Sequence, residues 1–219
     1  MERSRRPGNL PPRRVKRSVF INCPFDRTYN RFFESIVFAV YASGFVPRCA
    51  LEIDDGTEVR FNKICRIVEE CDYGIHDISY ARIDPRTKLA RFNMPLELGL
   101  FLGCKRYGGQ MHAKKACLIL DHSSYRYRSF VSDISGQDIH SHDNRVPRLI
   151  TVVSDWLRSR SRRSNIPGGK TIFKRYIEFQ KAMTKICRRM GIERRELTFV
   201  DFSAIVRSWL KVNRVRMAK

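Results

Sequence analysis

Apolar and polar positions along this chain switch repeatedly between a strand-like and a helix-like period, and the switches mark out its elements. Ser18–Cys23 (SVFINC) is a short, mostly apolar run rich in β-formers and reads as a strand, broken by Pro24-Phe25-Asp26. Asp26 can cap a following helix in which Phe32, Phe33, Ile36, Val37, Val40 and Tyr41 recur at helical spacing until Gly44 stops it. Phe45–Leu51 predicts a second strand. A polar turn (EIDDGT) then leads to a helix from near Glu58 to Cys71, with Phe61, Ile64, Cys65 and Val68 on one face. Tyr73–Ile78 is a third strand and Asn93–Gly103 a helix with Leu96, Leu100 and Phe101 inward. Ala116–Leu120 is a fourth strand, and Val146–Arg158 is again helical.

Strands alternating with helices in this way predict an α/β fold. Its core is an open parallel sheet of four or five strands with helices on both faces, of the flavodoxin-like kind. The pattern changes after residue 158. Residues 159–170 (SRSRRSNIPGGK) read as a linker. Beyond them Phe173, Tyr176, Ile177, Met183, Ile186, Cys187 and Met190 outline an amphipathic helix, interrupted on that face by Gln180 and stopped by Gly191. A second helix, beginning near Thr198 or Asp201 and running to about Asn213, buries Phe202, Ile205, Val206, Trp209 and Leu210. This C-terminal helical hairpin over 171–219 is either packed on the sheet domain or a dimerisation element. Residues 1–17 hold three prolines and almost no large apolar side chains, and read as a disordered basic arm. The organisation expected is thus an arm (1–17), an α/β nucleotide-pocket domain (18–158), a linker (159–170) and a basic helical appendage (171–219).

Charge sharpens that division. The net charge of +21 sits at the ends: residues 1–17 carry seven basic and one acidic residue, and 158–219 carry eighteen and four. The stretch between them holds eighteen basic and seventeen acidic residues and is close to neutral. What the middle does and what the ends bind are therefore separate questions. Dense Arg and Lys at the ends imply non-specific affinity for nucleic acid or an acidic partner. No helix-turn-helix or zinc-finger pattern supports sequence-specific reading. No run approaches the length of a membrane span and no apolar leader opens the chain, so a cytoplasmic protein without membrane attachment is expected. The seven cysteines are odd in number and lack any CxxC, and are read as small buried hydrophobes rather than disulfide or zinc ligands.

In an open parallel sheet, ligands bind beyond the carboxyl ends of the strands. The loops there gather Pro24, Phe25 and Asp26; Arg48 and Asp55, with Arg60 and Lys63 on the next helix; and His76, Asp77, Ser79, Arg91, Asn93 and Glu97. Glu97 lies early in a strongly apolar helix (MPLELGLFLG) and reads in one of two ways: as an N-terminal capping carboxylate, or as a catalytic carboxylate on a pocket floor. Asp77 is likewise a turn residue or a site residue. Arg48, Arg60 and Lys63 either fork onto phosphate or pair with Glu52, Asp54, Asp55 or Glu58. The run Asp133–Asp143 (DISGQDIHSHD) lacks a third strong ligand in register. No metal is expected there; Asp133 and Asp138 are read as part of a polar loop closing the pocket. No GxGxxG occurs, and the one GKT (Gly169–Thr171) is not a full GxxxxGK[ST] phosphate loop, since Ser164 stands at the position of its first glycine.

Three fragments carry a resemblance. VFINCPFD (Val19–Asp26) resembles the strand and GPF-type turn that open nucleoside 2-deoxyribosyltransferases. IVEECDYGIHDIS (Ile67–Ser79) is similar to that family's helix-then-strand segment ending in an aspartate. MPLELGLFLGCKR with KKACLIL resembles its glutamate-bearing helix and the strand that follows. Toll/interleukin-1 receptor-like NAD hydrolases are similar in layout. The resemblance spans roughly residues 18–122 and implies N-glycosidic bond cleavage or N-ribosyl transfer on a nucleotide, nucleoside or NAD. Glu97 would then be the nucleophile or electrostatic stabiliser, and Asp77 would hold the base or sugar and protonate the leaving base. The resemblance also implies a homo-oligomer. It implies no cofactor, NAD entering only as a substrate. Where those transferases carry an aspartate and a Gly-Thr pair before the glutamate, this chain reads ARFNMPLE, with Asn93 as a substitute hydrogen-bonding residue. That departure favours a phosphorylated substrate, bound by Pro24, Phe25, Asp26, Arg48, Asp55, Arg60, Asn93, Asp133 and Asp138. The alternative is a nucleotide-sensing module without catalysis.

Overall fold

β1 (Ser18–Asn22), β2 (Val46–Arg48), β3 (Tyr73–Asp77), β4 (Ala116–Asp121) and β5 (Ile139–Ser141) form one sheet in the order β2-β1-β3-β4-β5, every pairing parallel. The structure is a computed structural model that describes residues 17–216 apart from 53–54, 82, 84–87 and 90, with backbone only from 214 onward. The basic arm expected over 1–17 lies outside the described residues, save Arg17. The helices are α1 (Asn30–Ala42), α2 (Arg60–Glu70), α3 (Asn93–Tyr107), α4 (Val146–Ser161), α5 (Gly169–Met190) and α6 (Phe199–Arg216). This is the flavodoxin-like α/β arrangement.

Strand alternation divides the core. Val19, Ile21, Ile75, Leu118 and Leu120 point to one face and pack with Phe38, Val153 and Phe179 from α1, α4 and α5. Phe20 points to the other, against Ile64, Ile67 and Val68 of α2 and Phe101 of α3. Ile119 meets Met94 and Leu98 of α3. Both edge strands are short. β2 contains Pro47, which only an edge position tolerates. β5 lies inside a segment read as a loop; its three residues, IHS, hold one apolar side chain and leave no period to detect.

The C-terminal helices belong to the same core. Phe179, Met183, Phe202 and Val206 join the cluster built on α1 and α4. The rings of Phe38, Phe179 and Trp209 stand 5.2–6.0 Å apart. Burying Phe179 completely stabilises the fold by about 2–3 kcal/mol. Of the segment read as a linker, residues up to Ser161 continue α4 and Ile166 is buried. Gln180, the polar interruption of the apolar face, donates to buried Glu34 of α1 (3.2 Å), which also takes a hydrogen bond from Asn30 (3.0 Å) and an ion pair from Arg194. All seven cysteines are free, four of them buried. Among the described residues no helix is long and apolar enough to cross a membrane.

Candidate functional site

The chain leaves β1 to one side for β2 and returns on the other for β3, so the carboxyl tips of β1 and β3 flank the topological switch point. Asn22 and His76 are register partners there, and both project to the α2/α3 face. The Asn22 amide donates to the Met94 carbonyl (2.8 Å) and lies 3.1 Å from His76 Nδ1. An amide nitrogen only donates, so Nδ1 accepts and Nε2 carries the imidazole proton. Burial pushes the His76 pKa down to about 3, which keeps the ring neutral. Nε2 has no hydrogen-bond partner among the described residues, and the ring stands edge-on to Phe101 (5.0 Å) and Phe20 (5.8 Å). Through Asn22 the start of α3 is fastened to the switch point.

That fastening places Glu97. It is the fifth residue of α3, past the first turn; no acidic residue occupies that turn, and no side chain caps the helix. The capping alternative therefore falls: the helix starts one turn earlier than a capping Glu97 requires. The side chain is 8% exposed and has no hydrogen bond or ion pair with the described residues. Burial pushes its pKa up to about 7, against the opposing pull of Arg60. A carboxyl group poised between its two protonation states near neutrality is what proton transfer or nucleophilic work requires.

Asp77 is built differently. Alternation sends it to the α1 face, where it has no exposed surface. Its carboxylate accepts from the Ser79 backbone N–H (2.8 Å) and from the Tyr29 hydroxyl. His142 Nε2 stands 3.1 Å away, outside hydrogen-bond geometry, as an electrostatic contact. His142 Nδ1 accepts from the Asn144 N–H (3.2 Å), so the proton sits on the nitrogen facing Asp77. Burial alone pushes the Asp77 pKa up, but His142, Ser79 and Tyr29 together hold it below the ordinary carboxylate value. An ionised carboxylate walled in on every side has no proton to give, so the acid role implied by resemblance lacks a geometric basis. Buried Cys23 has its thiol pushed up by burial and then by the charges of Asp77, Cys49 and Glu97, among others.

The remaining candidates scatter around the carboxyl edge. Pro24 is buried. Phe25 packs on both faces' cores and, with Asp26, lines a cleft of about 380 Å³ that Phe33, Glu34, Arg194 and Phe199 also enclose. The α5–α6 connection thus reaches this edge, which the sequence reading did not anticipate. Asp26 accepts from the N–H groups of Thr28 (3.1 Å) and Tyr29 (3.0 Å) and pairs with Arg91 (2.9 Å), shaping the turn into α1. Arg48 is held by Glu52 through two bonds and by Glu70 (3.0 Å), the ion-pair alternative rather than a waiting phosphate fork. Asp55 closes a local turn with Thr57 (2.9 Å). Arg60 and Asn93 are exposed at the first positions of α2 and α3. Asp133 and Asp138 are exposed on the connection between β4 and β5. Glu97 and Asp77 line neither this cleft nor the larger one at the opposite edge. Among the described residues no cluster of metal-ligand type occurs.

Three partners escaped the sequence reading as site residues: Asn22, Tyr29 and His142. Asn22 alone carried a signal, as a polar residue inside an otherwise apolar strand. No known family, curated protein or solved structure matches the chain.

Proposed function

We propose that the chain cleaves or transfers an N-glycosidic bond of a nucleotide, nucleoside or NAD at the carboxyl edge of its sheet, with Glu97 as the reacting carboxylate. The observation that carries this reading is Glu97 itself: buried, without a hydrogen bond or ion pair among the described residues, and shifted to about 7 beside the switch point. In the ionised form it attacks, or faces, the anomeric carbon as the C–N bond breaks and the electron pair leaves with the base. Water or an acceptor nucleophile then adds to the same carbon.

Asp77 enters as a positioning residue that fixes the β3 tip through Tyr29, Ser79 and His142. With that carboxylate locked ionised, the reading favours a base that departs without being protonated, as the cationic nicotinamide of NAD does. The test is base release from NAD, nucleoside monophosphates and deoxynucleosides by purified full-length protein, followed chromatographically. Release is expected from at least one substrate, with loss of about a hundredfold or more in Glu97→Gln while the fold persists. Intact substrates throughout, combined with thermal stabilisation by a nucleotide, would leave a sensing module in place of an enzyme.

A further inference from the structure

We propose that a second site lies at the opposite edge of the sheet: a cleft that binds a compact ligand carrying two or more phosphates. The cleft encloses about 820 Å³, within the range of small-molecule sites, about 300–1,000 Å³. It opens at the carboxyl end of α1, where the chain turns at Ser43 and Gly44 into β2. Helices antiparallel to the strands put that end at the amino edge, away from Glu97.

Four cations converge on it from separate elements: Arg163 after α4, Arg175 on α5, and Arg207 and Lys211 on α6. No Asp or Glu is among the described residues lining it. Like charges gathered in a concavity with low-dielectric walls repel one another and focus a positive potential that an anion relieves.

One guanidinium is held ready. Arg162 adopts the left-handed conformation (φ 54°) that ends α4, and the Arg163 N–H then returns to the Arg158 carbonyl (3.2 Å). The Arg163 side chain donates to the Ser43 carbonyl (3.3 Å) and lies over the Phe45 ring at 5.6 Å. It fits because residue 44 is glycine: a Cβ there would stand 3.2 Å from Nη1, and φ is +77°. Arg175 is 8% exposed, whereas Arg207 and Lys211 reach solvent at the rim. A planar fork fixed by its surroundings, one buried guanidinium and two rim cations suit adjacent phosphates, while Tyr41 and Leu210 give the rest of the ligand an apolar wall. Concavity favours a compact polyphosphate over a nucleic-acid strand, which a flat cationic stripe would serve better.

The test uses the full chain at about 0.15 M ionic strength. Titrations with ATP, tripolyphosphate, AMP and a single-stranded oligonucleotide are compared by calorimetry. ATP and tripolyphosphate are expected to bind and AMP much more weakly. Arg207→Ser combined with Lys211→Ser, both exposed, should weaken ATP binding about tenfold or more without changing the melting temperature, and Arg163→Lys should weaken it too. Glu97→Gln should bind ATP as the native chain does, which separates this site from the one at the carboxyl edge. The proposal is overturned if ATP and tripolyphosphate do not bind, if the double variant binds them unchanged, or if only the oligonucleotide binds.

Discussion

Tyr29, one residue ahead of α1, donates its hydroxyl to Asp77 at the tip of β3, and both are fully buried. The contact joins the first helix to the strand on the far side of the switch point. Tyr29→Phe keeps the ring among Phe32 and Tyr80 but removes one donor from a buried carboxylate. Loss of about 1–3 kcal/mol is expected in urea denaturation at pH 7. Asp77→Asn should cost at least as much, with a pH signature. The native Asp77 pKa is lowered, so its stabilisation is present above the ordinary carboxylate value and is lost as pH falls through the native one. The gap between native and Asp77→Asn protein should therefore hold from pH 7 to about 4 and close only in stronger acid. A gap that closes already at pH 6 would contradict an ionised, well-bonded Asp77.

Lys115 reaches from the start of β4 to the end of α2, where its ammonium donates to the carbonyls of Val68 (2.6 Å), Glu69 (3.2 Å) and Cys71. The side chain is 1% exposed. Burying the charge is costly, but the last carbonyls of a helix have no intrahelical donors and the helix dipole favours a cation there. Lys115→Met retains the stem but removes the side-chain donor to those carbonyls, of which only that of Val68 also accepts the Cys71 N–H (3.4 Å). Destabilisation of roughly 2–4 kcal/mol is expected, with faster amide exchange in the final turn of α2. A neutral effect would show that desolvation of the ammonium outweighs its hydrogen bonds.

Gly74 has ordinary backbone angles, and its role is space. A Cβ there would stand 2.6 Å from His76 Nε2 and 2.9 Å from Phe101 Cε2. Neither ring can retreat, since His76 is held by Asn22 and Phe101 is fully buried. Gly74→Ala is expected to cost about 1–3 kcal/mol and to loosen the seating of α3. The melting temperature measures the first effect, and the aromatic near-UV circular dichroism the second. A variant as stable as the native chain would mean that the rings shift more easily than this packing implies.

The sheet and its main helices were legible because runs such as SVFINC and the Phe32–Tyr41 face repeat at one period long enough to be seen. β5 was not, since three residues at an edge carry no period. The inclusion of α5 and α6 in the core could not be read either: an amphipathic face shows that something is covered, and only Glu34 meeting Gln180 and Phe38 meeting Phe179 show by what. At the candidate site, Glu97 was visible as a charge in an apolar helix. Its environment depends on Asn22 bonding to Met94, a contact 72 residues apart that sequence spacing does not encode. Arg48 shows the converse. An arginine at a strand end looks ligand-facing until Glu52 and Glu70 take it.

Glu97 itself should trade stability for chemistry. Its folded pKa is raised from 4.5 to about 7, so the native state disfavours the ionised form. Below pH 4.5 the group is protonated in both states and imposes no penalty; as pH rises through 7 the penalty grows to its full value. At about 1.4 kcal/mol per pKa unit this amounts to roughly 3 kcal/mol, an upper figure. Glu97→Gln removes it, and the variant should be more stable than the native chain at pH 8 by up to that amount, with little difference at pH 4. Glycosidic activity that needs the ionised carboxylate should rise through pH 7 and level off above it, opposite in direction to stability. Melting temperatures at pH 4 and 8, set beside the pH profile of base release, check both halves. Equal stability of the two proteins at pH 8 would mean that Glu97 is solvated, and the reason for assigning it the chemistry would be gone.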